Sequence, residues 1–521
     1  MKKLLGIFNT KTGDVAGTTE CNDGHFEEAM TLYKENNYEK AAEKFNLLAE
    51  KNHVLSQSTL GFMYLTGAGV LQDLRKAAFW FKKAAEQGNA DSQGNIGVAY
   101  RFGQGVPQNF KEARDWLEKS AEQGVPLAQY NLGGLFYYGQ GIKQDFKKAA
   151  YWYLKSAKQG YPLAQSDLGN MYREGDGVPQ DFKQAHHWLL KAAEQGDAIA
   201  QYGLGELYGK GQGVSQDFKK AIYWYQQAAE QGDPTIQFNL GNMYRNGEYV
   251  PQDYKKAAYW YLKAAEQGDA DAQSSLAWLY EDGQGVLQDF KLAHYWYLKA
   301  AEQGDAVAQF NSGNMYGKGL GVKKDFQQAH YWLMKAANQG DAKAQYNLGG
   351  MYEKGQYVSQ DYKQAYYWYL KAAEQGNVKA QSCLGGLYYA GNGVPLDFQL
   401  AARWYQKAAE QGYDDAKHNL GFMYYEGKGV PQDYERAFYW YKNAAEQGHV
   451  QCQTNIGVMY YKGQGVLKDD IKAHMWSNIA AANGGKSSLR DVISKSLKPD
   501  QLAKAQMMAN NCVNSDYKNC G

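Results

Sequence analysis

The chain has 521 residues, with 56 Lys+Arg against 55 Asp+Glu and 44% hydrophobic residues. It is too apolar for a disordered chain, and a net charge of +1 gives no long-range pull toward phosphate backbones or anionic lipid, which argues against a nucleic-acid partner. No run approaches the ~18 consecutive apolar residues of a membrane span.

The chain starts basic, but the apolar run from Leu4 to Phe8 is too short for a signal peptide. Five cysteines, irregularly spaced and without a CxxC pair, fit neither a disulfide framework nor a zinc site. Only Cys512 and Cys520 are close enough in sequence for a local bridge, so a cytoplasmic protein with free thiols is expected. Residues 1–24 read as loose, and 25–52 as a capping helical hairpin with a short Asn-Asn turn.

From residue 53 the sequence repeats. Glycine recurs at 88, 124, 160, 196, 232, 268, 304, 340, 376, 412, 448 and 484, always 36 residues apart, which defines twelve units over 53–484. We number them repeats 1–12, so that repeat 5 is 197–232. Within it, Ala200, Leu204, Leu207 and Tyr208 form the apolar stripe of a first helix, and Phe218, Ala221, Trp224 and Ala228 that of a second. Gly211-Gln212-Gly213-Val214 make the turn between them. Asp217 suits an N-cap, a place held by Asp or Asn in all twelve units, and Gly232 a left-handed C-terminal residue. Pro126, Pro162 and Pro234 fall in the first turn of a helix, where proline removes no hydrogen bond.

Twelve of the 13 tryptophans share one place in the second helix, which predicts core. A glycine such as Gly205 sits mid-helix in eleven of twelve units, with Ala277 the exception, and points to close approach of the partner helix. After the repeats, 485–511 read as capping helices and 512–521 as a loose tail.

This frame, A-x-x-x-L-G-x-x-Y-x-x-G-x-G-V-x-x-D-x-x-x-A-x-x-W-x-x-x-A-A-x-x-G, resembles the Sel-one-like repeat family, relatives of tetratricopeptide repeats. The resemblance implies an all-α, right-handed solenoid of about 26 to 30 helices, acting as a non-enzymatic scaffold for a protein or extended peptide in a concave groove. Signalling regulation, host interaction and immunity-type roles occur in that family. Two departures are Tyr249 and Tyr357, which replace the second turn glycine and predict loops of different shape. The paired cysteines of the family's secreted branch are absent.

That branch also supplies the alternative function, a β-lactam-binding hydrolase. Ser515-Asp516-Tyr517-Lys518 matches S-x-x-K and Lys11-Thr12-Gly13 matches K-T-G, but their order is reversed and S-D-N is missing, so chance accounts for them. His186, His294, His330 and His474 share one place in the second helix and read as ordinary, partly exposed histidines. Neither catalytic residues, nor a metal site, nor a cofactor is expected.

Positions between the core residues of the first helix vary from copy to copy and are often aromatic. They supply the candidate groove residues Tyr130, Asn170, Arg173, Tyr202, Phe238, Asn242, Arg245, Trp278, Phe310, Asn314 and Tyr346. The alternative is that these rings pack between neighbouring repeats. Around Trp278, Ala277 replaces the helix glycine and Ser312 a core leucine, so Trp278 is either an anchor for a partner or a filler of the volume lost at Ser312.

Overall fold

The computed structural model describes residues 20–486, 488–515, 517 and 520. Among them are 28 α-helices and no strand. The chain divides into two compact units, Met1–Lys263 and Ala264–Gly521, with the boundary inside the second helix of repeat 6. Each unit is a stack of two-helix repeats in which consecutive helices pack on one another.

The repeat grammar is physical at every joint. All twelve N-cap residues of the second helices, from Asp73 to Asp469 and including Asn109, accept hydrogen bonds from free backbone N–H groups of the first turn. Gly211 closes its first helix in the left-handed region at φ 67°, and Gly232 follows its second at φ 97°. Asn52 occupies the same place ahead of repeat 1, at φ 62°. Gly213 has a second reason to be glycine: a Cβ there would lie 2.3 Å from the Phe182 carbonyl oxygen, at the start of the preceding repeat's second helix.

Tyr249 and Tyr357 hold the same left-handed backbone, at φ 65° and 68°, so the turn keeps its shape instead of changing as expected. For Tyr249 the compensation lies 40 residues earlier, at Gly209. A Cβ on Gly209 would sit 2.9 Å from the Tyr249 ring, which stacks on Tyr225 at 6.2 Å.

The core differs from expectation in one respect. Of the twelve repeated tryptophans, Trp188, Trp260, Trp332, Trp368 and Trp476 are buried, while the other seven are half-buried. The fully buried side chain is the next one along, Tyr225 in repeat 5 and Leu333 in repeat 8. It is also what the helix glycine accommodates: a Cβ on Gly205 would meet the Tyr225 ring at 2.6 Å, and one on Gly313 the Leu333 side chain at 2.8 Å.

A buried glutamine ladder joins successive helices. Gln201 donates through Nε2 to the Ala193 carbonyl at 3.2 Å, and its Oε1 accepts from Gln231 Nε2 at 2.8 Å. In the other unit, Gln309, Ala301 and Gln339 make the same bonds at 3.1 and 2.8 Å. Lys417 breaks the series and pairs with Asp414 at 2.8 Å.

The ends are more ordered than their composition suggested. The first helix begins at Glu20, and the last runs Pro499–Asn514. Cys512 and Cys520 are buried and joined by a disulfide, which corrects the expectation of free thiols throughout. Cys383 and Cys452 are free.

Candidate protein-interaction surface

The eleven candidate residues sit on first helices: Tyr130 through Arg245 in one unit, Trp278, Phe310, Asn314 and Tyr346 in the other. All are half-buried except Trp278, which is 37% exposed. Most of the rings pack on the buried aromatic of their own repeat. Tyr130 stacks on Tyr153 at 5.5 Å, Tyr202 meets Tyr225 edge-on at 5.1 Å, and Phe238 and Tyr346 tilt onto Tyr261 and Tyr369 at 5.7 and 5.8 Å. Phe310 packs on the core around Leu333 and Leu348. These rings are therefore fixed from beneath, with one side left for contact.

Around Tyr130 the first unit gathers its charges. Arg101 is buried, donating from Nη1 to Asn131 Oδ1 at 2.9 Å and from Nε to Gln140 Oε1 at 2.9 Å. Its guanidinium fills the space above Gly134, where a Cβ would come within 2.7 Å. Tyr130 donates to Asp167; burial pushes the Asp167 carboxyl up to about 6, against the downward effects of that hydrogen bond and of Arg101. Arg173 is neutralised, bonding Glu174 at 3.0 Å and also Glu206. Arg245 donates to Asn246 at 3.1 Å, and Asn242 accepts from the Tyr261 hydroxyl at 2.7 Å. Asn314 accepts from Asn347 at 2.7 Å, whereas Asn170 has no side-chain hydrogen bond among the described residues.

Asp167 and the glutamine ladder are residues that a search for aromatic stripes misses. A polar residue fixed in eleven of twelve copies, such as Gln201, was the available signal for the ladder.

Among the described residues, no group of three or more His, Cys, Asp or Glu could hold a metal ion. Ser515 is in the turn after the last helix; its partners Asp516 and Lys518, and the Lys11-Thr12-Gly13 motif, lie outside the described residues. His186 and His330 meet the hydroxyls of Tyr208 and Tyr352 at 3.1 and 3.4 Å. His294 and His474 are buried, not partly exposed as expected, and burial lowers the pKa of all four histidines.

The Sel1 repeat profile matches twelve times in tandem, from 54–89 to 450–485, with 236–269 the one shortened match. The chain belongs to the Sel1 repeat family. It is similar to the crystal structure of c5321, a protective antigen present in uropathogenic Escherichia coli strains, with 36% identity and a TM-score of 0.76, covering 84% of this chain and 96% of that one. A Sel1 repeat protein from Oxalobacter formigenes is 37% identical over 59% of this chain and 89% of its own, with a TM-score of 0.48. No curated protein matches the sequence. Among the described residues, no helix is long and apolar enough to cross a membrane. The Sel1 repeat solenoid is typically a scaffold for protein interactions.

Proposed function

We propose that the protein is a non-enzymatic scaffold, and that its partner, a protein or extended peptide, is held on the first-helix face of the repeats. Trp278 carries this reading. It is the one tryptophan outside the repeated position, and it stays 37% exposed although the neighbouring repeat has a polar Ser312 in place of a core leucine. A ring that filled the lost volume would be buried. A rigid, half-exposed tryptophan with Asn314 and Phe310 in the next repeat has the composition of an interface anchor. Tyr346 extends the same stripe in repeat 9. In the other unit Tyr130, Asn170, Arg173, Tyr202, Phe238, Asn242 and Arg245 form the corresponding stripe.

The choice among signalling, immunity and host-contact roles rests on the partner. The likeness to a protective antigen puts host contact first among those to test. The experiment is capture on the immobilised chain, identification by mass spectrometry, and measurement of that partner against Trp278→Ala. Affinity falls about thirtyfold, the factor for ~2 kcal/mol, while the melting temperature holds. A lowered melt with affinity intact assigns Trp278 to packing.

A further inference from the structure

The second helices carry a repeating feature that neither the core nor the first-helix face uses. The residue before the repeated tryptophan is aromatic in eight of twelve units, and in each it is exposed: 53% at Phe79, 52% at Tyr151, and 45–58% at Tyr223, Tyr259, Tyr295, Tyr331, Tyr367 and Tyr439. Exposed rings at one fixed place of a repeat are a surface, not an accident of packing.

Repeats 7–9, within one unit, show how that surface is built. Tyr295, Tyr331 and Tyr367 each stand edge-on to the adjacent tryptophan with centroids 4.9 Å apart. One turn later a lysine leans back over the ring: Lys335 Nζ lies 4.7 Å from the Tyr331 centroid and Lys371 Nζ 4.6 Å from that of Tyr367. One turn earlier, Lys291 and Lys363 are exposed. None of Lys291, Lys335, Lys363 and Lys371 pairs with a carboxylate among the described residues, while Lys299 lies 4.0 Å from Glu302. Each of these repeats thus offers an exposed ring beside at least one ammonium group that no carboxylate pairs: Lys291 in repeat 7, Lys335 in repeat 8, and Lys363 and Lys371 in repeat 9.

We propose that this outer face of the second helices binds a carboxylated polysaccharide. A ligand for a site repeated every 36 residues is best served by being a polymer itself, gaining avidity from each added contact. Its negative charge answers the lysines, and the C–H face of a pyranose ring lies flat on an exposed tyrosine while its carboxylate reaches the adjacent ammonium.

The test uses the full chain and an oligogalacturonate long enough to span three repeats, followed by calorimetry. The oligomer binds, and binding weakens as salt rises. Its methyl-esterified form, neutral but otherwise alike, binds at least about tenfold more weakly. Combining Tyr295→Ala, Tyr331→Ala and Tyr367→Ala costs about tenfold or more at unchanged helical content, whereas Trp278→Ala leaves affinity as it was, which separates this site from the first-helix face. Three results overturn the proposal: no binding at millimolar oligomer, undiminished binding by the folded triple variant, or tighter binding of oligothymidylate through the same residues.

Discussion

The two faces of the repeat use the same residue types to opposite ends. On the first helices, rings such as Tyr202 and Tyr346 rest on a buried tyrosine and show only part of their surface. On the second helices, three successive residues grade from outside to inside: Tyr223 is 51% exposed, Trp224 half-buried and Tyr225 1% exposed. Aromatic content alone therefore says little. What decides a ring's role is whether the opposing helix has given up its Cβ to receive it, as Gly205 does for Tyr225.

The sharpest way to break this comparison is to truncate those neighbours one at a time. Tyr225→Ala should cost about 3–5 kcal/mol locally, as deletion of a buried aromatic does. Trp224→Ala should cost less, and Tyr223→Ala should stay within roughly 0.5 kcal/mol. Because each repeat touches mainly its neighbours, hydrogen exchange will show the loss confined to repeats 4–6. Equal effects at 223 and 225 would remove the distinction between the faces.

Next in size is the ladder that holds the two layers in register. Gln201→Ala strands the buried Ala193 carbonyl, at a cost of about 1–3 kcal/mol, readable in a chemical melt. A smaller effect of opposite sign is expected at Ser312, whose hydroxyl is buried with no hydrogen-bond partner among the described residues. Ser312→Ala should raise stability by up to ~1 kcal/mol, because it removes an unsatisfied group at little cost in volume.

The subtlest prediction concerns charge on the first-helix face. Burial pushes the Asp167 carboxyl above the usual carboxylate range, up to about 6, so its ionised form is disfavoured in the fold. The stability it contributes is present below about pH 4 and declines as pH rises through 6. Exchange protection in repeats 3 and 4 should follow that slope, and Asp167→Asn should flatten it.

The repeat length, the N-caps and the turn glycines were legible in the sequence because each is a single-residue backbone requirement repeated twelve times. The repeated tryptophan reads correctly as core, but passing over the deeper residue after it has a physical cause. Size suggests burial, but the helix glycine faces the position after it, and no periodicity argument separates two adjacent large rings. The candidate surface was legible as a stripe of variable residues. That Arg173 is neutralised by Glu206, and that Arg101 fills a gap over Gly134, depends on neighbours 33 residues away and could not be read from the sequence alone.

Photo-crosslinking tests the central claim most directly, that the first-helix face is where a protein partner sits. A benzophenone residue is placed at 202, 278 or 310 on first helices, and at 223, 295 or 331 on second helices, and the chain is illuminated with the captured partner. Discrete protein adducts should form from the first set and not from the second. The reverse pattern, or adducts of equal yield from both, would contradict the account.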